Sequence, residues 1–117
     1  MARIRVKNLL LRTYIGFNPD ELINKQDVII NLTIETKISS LALEKDEPVD
    51  IYDYKVVTKR VIALVQEGRF KLLEALTGRL LSMIMEDERV IRARVEVDKP
   101  HALRFAESVS FEMEAGR

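Results

Sequence analysis

Four segments of the chain alternate between apolar and polar residues, and two segments between them repeat apolar residues at helical spacing. In the first, residues 2–13, Ile4 and Val6 share one face of a predicted strand. The apolar phase then shifts to Leu9 and Leu11, which predicts a β-bulge near Asn8. The second, residues 27–38, alternates more regularly and predicts a strand with one buried face. That face carries Val28, Ile30, Leu32 and Ile34.

Two helices are predicted in the middle of the chain. The first begins near Asp50 or Asp53, either of which can cap it, and ends at Gly68. The second spans residues 71–86. One helical turn is predicted at residues 41–43. The apolar stripes are Tyr54, Val57, Val61, Leu64 and Val65 on the first helix, and Leu73, Leu76, Leu80 and Ile84 on the second.

The last two alternating segments predict a second pair of strands. Their apolar positions are Ile91, Ala93, Val95 and Val97 in one, and Val109, Phe111 and Met113 in the other. Two helices between two strand pairs favour an α+β fold, with a four-stranded antiparallel sheet and both helices on one face. Strands of this length leave open edges that soluble proteins cover or pair, so self-association is expected.

Composition narrows the functional classes. The chain has 117 residues, which suits a single domain over residues 1–117. Lys plus Arg and Asp plus Glu both number 19, which disfavours a nucleic-acid-binding protein because such domains carry a basic excess. There is no cysteine and one histidine, His101, so a catalytic zinc site is not expected. No segment is apolar enough to span a membrane or act as a signal peptide, and the protein is predicted to be cytoplasmic.

Two charged residues are candidates for a catalytic or substrate-binding role, although the position of each also has an ordinary structural explanation. Glu74 lies in the first turn of the second helix, where a carboxylate interacts favourably with the helix dipole. It can also accept two parallel hydrogen bonds from the N–H and NH2 edge of an aminopyrimidinone ring, as in pterin or guanine. Lys99 continues the inward phase of its strand. It is either a surface lysine before a turn or a general acid–base residue.

Three further positions have the same double interpretation. Tyr54 is either a core residue with its hydroxyl at the rim or a group that passes a proton. Glu21 lies in a polar loop over residues 16–26 and is either solvated or bound to a substrate hydroxyl. Arg104 follows Pro100 in a short polar segment, which is either a plain turn or a phosphate contact suited to a guanidinium group.

Four segments together resemble one family. LRTYIGF, INKQDVIIN, RFKLLEALT and DKPHALRFAESVS are similar to segments of the dihydroneopterin aldolase family, and the resemblance covers residues 4 to about 113. Aldolases of this family usually carry a longer stretch rich in Gly and Pro after their lysine, and a histidine where this chain has Ile15. Both departures favour an epimerase branch of the family over efficient aldolase activity.

The resemblance implies roles for particular residues. Glu74 becomes the pterin anchor, with Leu73 as a backbone contact beside it. Lys99 becomes the general acid–base residue, Tyr54 an aromatic partner that positions a water or shuttles a proton, and Glu21 a carboxylate near the substrate side chain. The implied architecture is the tunnelling fold, in which four subunits join their sheets into a barrel and two rings stack into a homo-octamer. The family uses no metal, cofactor or Schiff base.

The implied reaction is epimerisation of dihydroneopterin triphosphate at its second side-chain carbon, giving dihydromonapterin triphosphate for tetrahydromonapterin biosynthesis. Arg104 is the first choice for holding the triphosphate, and Lys25 the second. Three alternatives remain open: an aldolase that releases glycolaldehyde from dihydroneopterin, a non-catalytic oligomer that binds pterin or purine, and a structural assembly protein. The presence of both Glu74 and Lys99 favours catalysis over binding alone.

Overall fold

A computed structural model describes residues 1–117 and shows an α+β fold built on one sheet. The sheet has five strands in the order β3-β1-β2-β4-β5. The four long strands are mutually antiparallel, and short β3 runs parallel to the end of β1. The strands are β1 (Ala2–Ile15), β2 (Gln26–Thr36), β3 (Arg69–Phe70), β4 (Val90–Lys99) and β5 (Val109–Gly116). The helices are α1 (Pro19–Ile23), α2 (Ser40–Lys45), α3 (Tyr54–Glu67) and α4 (Leu73–Met85).

The observed elements correct the predicted four strands and two helices. β3 has two residues, too few to show an alternating pattern. Helix α1 lies inside the segment predicted as a loop, and it begins with Asn18 at the cap, Pro19 in the first turn and Glu21 three residues after the cap. The single turn predicted at residues 41–43 is present as α2, which Ser39 caps.

The hydrophobic core lies between the sheet and the two long helices, as the apolar stripes predict. Every alternate residue of β2 from Val28 to Ile34 is buried. Asp53 caps α3 by accepting a hydrogen bond from the Lys55 backbone N–H at 2.9 Å. The prediction that Tyr54 belongs to the buried stripe is wrong, since this first residue of α3 is 55% exposed. The helical side chains of the core are Val57, Val61 and Val65 of α3 and Leu76, Leu80, Leu81 and Ile84 of α4.

Two irregularities in strand pairing decide which side chains face inward. The predicted bulge in β1 is confirmed: pairing with β2 shifts between Val6 and Leu9, and Asn8 adopts a φ of 54°. A second shift lies between Glu35 and Thr36 on β2. It places Val90 in the core and leaves Ile91 only half-buried, so the prediction that Ile91 faces inward is wrong.

The other face of the sheet is polar, and two sheet edges are open. Ion pairs cross between strands on the polar face, such as Arg3 with Glu35 at 2.8 Å and Arg94 with Glu112 at 2.9 Å. The outer edge of β1 pairs with β3 at only two residues, and the outer edge of β5 pairs with no strand. None of the helices has the length and apolar character needed to cross a membrane.

Candidate active site

A lysine and a glutamate that lie 78 residues apart in sequence form an ion pair at one end of the sheet. The Nζ of Lys99, at the end of β4, donates a hydrogen bond to Oε2 of Glu21 in α1 at 2.7 Å. Their side chains are 12% and 20% exposed, respectively, so the pair is largely shielded from solvent. The structure thus brings together two of the residues that the sequence singled out.

Two other donors hold the Glu21 carboxylate in place. The Asn18 backbone N–H donates to Oε1 at 3.3 Å, and Gln26 Nε2 donates to Oε2 at 3.2 Å. The same Gln26 nitrogen donates to the Ile15 carbonyl at 2.7 Å, which ties the carboxylate to the end of β1. The hydrogen bond from Lys99 lowers the pKa of Glu21, partial burial opposes this shift, and the bonds from Gln26 and Asn18 reinforce it. Glu21 is therefore a carboxylate at neutral pH.

Gly16 makes room for this carboxylate. Its φ of 125° is a conformation that other residues rarely adopt, and a Cβ built on it would overlap the carboxylate of Glu21. The Gly16 N–H donates to the Phe70 carbonyl at 3.0 Å, which joins the end of β1 to β3. The sequence predicts only that this glycine begins a polar loop over residues 16–26.

A cavity of about 190 Å³ adjoins the ion pair, because Glu21 forms part of its wall. Arg69 and Lys71 contribute positive charge to the wall, and neither was singled out from the sequence. The short β3, which has no periodic signal, brings Arg69 to this position. The lining residues are Tyr14, Gly16, Glu21, Leu22, Arg69, Phe70 and Lys71.

Glu74 lies near this cavity in the chain and is free to accept hydrogen bonds. It is in the first turn of α4, four residues after Phe70. Its side chain is exposed and makes no hydrogen bond or ion pair within the chain. The first backbone N–H groups of α4, including that of Leu73, have no carbonyl partner in the preceding turn of helix. No contact links Glu74 to Lys99 directly.

Tyr54 and Arg104 are not brought into contact with the ion pair within one chain. Tyr54 begins α3, whose other end meets the site region, since the Val65 carbonyl accepts a hydrogen bond from Thr13 Oγ1 at 2.6 Å. The 14 residues of α3 separate its ends by about 20 Å. Arg104 lies in the exposed segment 101–107, which follows Lys99 closely, and it forms no ion pair.

A larger depression of about 570 Å³ lies at the opposite end of the sheet, between the start of β4 and the segment that follows β2. Its charged residues include Lys37, Asp50 and Arg89. None of the candidate catalytic or substrate-binding residues named from the sequence lines it. The smaller cavity at Glu21 is the better candidate because it adjoins a shielded amine–carboxylate pair.

Comparison with known proteins decides the family. The family model described as FolB, dihydroneopterin aldolase, matches residues 4–114. The chain belongs to the dihydroneopterin aldolase family. A Pseudomonas aeruginosa relative named dihydroneopterin triphosphate 2'-epimerase is 51% identical over 117 residues, covering 100% of this chain and 94% of the relative. An Escherichia coli protein of the same name is 46% identical over 109 residues, covering 93% and 90%.

The fold of this dihydroneopterin aldolase family member also matches a solved structure. The crystal structure of Escherichia coli dihydroneopterin aldolase in complex with neopterin superposes with a TM-score of 0.91, covering 99% of this chain and 100% of that one. The two sequences are 22% identical, so this match establishes the shared fold. The resemblance read from four short segments is confirmed over nearly the whole chain.

Proposed function

We propose that this protein is an isomerase that inverts the second side-chain carbon of dihydroneopterin triphosphate. The observation that carries the proposal is the shielded Lys99–Glu21 pair beside a cavity, in a chain of the dihydroneopterin aldolase family. The two relatives named as 2'-epimerases support this substrate and reaction. Cleavage of dihydroneopterin is the second candidate, which the aldolase description of the family favours.

Glu74 is the proposed anchor for the pterin ring. Its unpaired carboxylate can accept two parallel hydrogen bonds from the ring's N–H and NH2 edge. The free backbone N–H of Leu73 at the start of α4 can bond to a ring acceptor beside it. The neopterin in the Escherichia coli aldolase structure supports a pteridine as the ligand class.

Lys99 is the proposed acid–base residue, and Glu21 holds it. Lys99 removes the proton from the hydroxyl on the second side-chain carbon. The bond between this carbon and the first side-chain carbon then breaks, and the dihydropterin ring takes up the electron pair. This retro-aldol step leaves an enol-like pterin and an aldehyde. Addition of the pterin to the other face of the aldehyde inverts the carbon, and the same amine returns the proton. Departure of the aldehyde would give cleavage instead.

Tyr54 is proposed to enter the active site from a neighbouring subunit. It lies about one helix length from the end of α3 that meets the site region of its own chain, and its side chain is exposed. The open edges of β1 and β5 can pair between copies, which would close the sheet into a barrel and supply Tyr54 from the next protomer. We propose that the protein forms the homo-octamer of two stacked four-membered rings implied by the resemblance, and that it acts in the cytoplasm. Arg104, in the exposed segment after Lys99, is a proposed contact for the triphosphate at the outer side of the site.

The deciding experiment is turnover of dihydroneopterin triphosphate with the side-chain stereoisomers resolved by chiral chromatography. Inversion without release of an aldehyde supports the epimerase, whereas free aldehyde supports the lyase. Binding without turnover would support a non-catalytic pterin-binding oligomer. Lys99→Ala should abolish turnover and retain pterin binding, and Glu74→Ala should weaken pterin binding. Normal turnover by Lys99→Ala would refute the proposed role of the lysine.

A mixing experiment tests the shared site. Lys99→Ala and Tyr54→Ala are each expected to be inactive. Hetero-oligomers made by unfolding and refolding the two together should regain activity, because some sites then combine an intact Lys99 with an intact Tyr54 from another chain. Failure to regain activity in hetero-oligomers of native size would place both residues in the same protomer's site.

A further inference from the structure

We propose that Arg69, Lys71 and Lys25 form a polyphosphate subsite that holds the substrate's triphosphate tail and thereby retains the aldehyde until it re-adds. This inference rests on the proposed function. It assigns the inner phosphate contacts to residues of β3 and its flank, whereas Arg104 in the exposed segment after Lys99 is an outer contact.

Arg69 is held ready for an anion. Strand pairing sets it beside Tyr14, and its guanidinium carbon lies 3.8 Å from the centre of the Tyr14 ring. A guanidinium nitrogen also donates to the Leu22 carbonyl at 3.5 Å. The Lys25 ammonium is 5.7 Å from the centre of the same ring. Two cations therefore lie near the ring of Tyr14, which lines the cavity: Arg69, which lines it too, and Lys25, which does not.

The charges at this cavity are unbalanced. Neither Arg69, Lys71 nor Lys25 forms an ion pair with a carboxylate, whereas most other arginines of the chain do. Glu21 is the one acidic residue in the cavity wall, and its carboxylate already binds Lys99. Two unpaired cations, Arg69 and Lys71, thus line one small cavity, and a third, Lys25, lies beside Tyr14 of its wall, in a chain with no net charge. This local excess favours a polyanionic ligand.

The cavity lies where the phosphates of a substrate would be if its reacting carbon were at Lys99. In dihydroneopterin triphosphate, one carbon and one oxygen separate that carbon from the first phosphorus atom. A substrate with this carbon at Lys99 therefore brings its phosphates to groups near Glu21. Guanidinium binds phosphate oxygens in a bidentate manner, and the two ammonium groups add point charges.

Retention of the tail explains how one site can favour inversion over cleavage. Breaking the bond between the first and second side-chain carbons divides the substrate into a hydroxymethyl-dihydropterin in its enol form and glycolaldehyde that carries the triphosphate. The phosphates remain on the aldehyde fragment. Cations that grip them hold the aldehyde while it turns and forms the new carbon–carbon bond. Loss of the grip should let the aldehyde leave, and the pterin would depart as the cleavage product.

The test compares phosphorylated and unphosphorylated substrates in the variants Arg69→Gln, Lys71→Gln and the double variant. For dihydroneopterin triphosphate, each single change should raise KM about tenfold, because a charge-assisted hydrogen bond is lost. The ratio of inverted to cleaved product should fall in parallel. Turnover of unphosphorylated dihydroneopterin should stay within about twofold of the unmodified protein. Arg104→Gln should have a smaller effect than Arg69→Gln.

Controls separate this role from general charge and folding. Arg79→Gln and Lys59→Gln remove one exposed cation each, away from the cavity, and should change neither KM nor the product ratio. Lys71 makes no hydrogen bond or ion pair, so Lys71→Gln remains informative even if Arg69→Gln fails to fold. Unchanged KM and product ratio for dihydroneopterin triphosphate in the double variant would overturn the proposal. An equal loss with both substrates would also overturn it, since that result indicates a structural role.

Binding of inorganic tripolyphosphate, measured by calorimetry, tests the subsite independently of the proposed function. If the unmodified protein binds tripolyphosphate and the double variant does not, the subsite stands even where the protein fails to epimerise dihydroneopterin triphosphate. If the unmodified protein shows epimerisation but the double variant binds tripolyphosphate equally well, the subsite is wrong and the proposed function stands.

Discussion

A double-mutant cycle on Lys99 and Glu21 tests whether the ion pair is a structural contact as well as part of the site. Their closest atoms are 2.7 Å apart. With an effective dielectric constant of about 20, Coulomb's law gives an attraction of about 6 kcal/mol at that distance. Shielding both ions from water costs several kcal/mol, which offsets most of the gain. We therefore expect Lys99→Met and Glu21→Gln to show a coupling free energy of about 2 kcal/mol.

Urea unfolding of the four proteins, followed by circular dichroism at one fixed protomer concentration, measures this coupling. Each single variant should lose about 3 kcal/mol because it leaves the partner's charge shielded and unpaired, and the double variant should lose less than the sum. Lys99→Met should also lower the turnover number at least a hundredfold. A coupling below about 0.5 kcal/mol would refute the reasoning, since the two groups would then be independently solvated.

Three further predictions concern single positions. Gly16→Ala should lower the free energy of unfolding by about 2 kcal/mol or more, because φ is 125° and the new Cβ meets Glu21. Gly78→Ala should instead stabilise α4, because its new Cβ makes only an ordinary van der Waals contact, 3.9 Å from Met113 Sδ. The pKa of Glu21 is lowered from 4.5 in the folded protein, so the stabilisation that its carboxylate provides is complete above pH 4.5 and is lost as the pH falls through the folded-state pKa. The difference in free energy of unfolding between the unmodified protein and Glu21→Gln, measured by urea titration, should therefore shrink in acid. The pKa of Tyr52 is raised from 10.0 to about 12, mainly by burial. Its contribution to the free energy of unfolding is therefore present below pH 10 and is lost as the pH rises to about 12. Tyr52→Phe should be less sensitive to that alkaline range, and an identical loss in both proteins would contradict this prediction.

The periodic parts of the fold were predictable from local pattern, and the exceptions have local causes. The alternation of β2 and the stripe of α4 predict their buried faces because core burial acts on every repeat. Tyr54 follows the spacing of α3 but is its first residue, at the end of the apolar stripe, and its side chain is 55% exposed. Ile91 follows the alternation of β4, and the pairing shift opposite Thr36 reverses its phase. A register shift depends on the partner strand, which local alternation does not report.

The sequence by itself determined the α+β class, the core faces, the bulge at Asn8 and, through four segments, the family. It also identified Lys99 as a candidate from the inward phase of its strand, and Glu21 as a candidate from its place in a polar loop. Only the tertiary structure decided that these two meet at 2.7 Å, that Gly16 leaves space for their contact, and that Arg69 stacks on Tyr14 beside the same cavity. The physical reason is that periodicity records which side of an element is buried, whereas a site depends on distances between elements. Those distances are set by strand order, register and packing, which a local pattern does not contain.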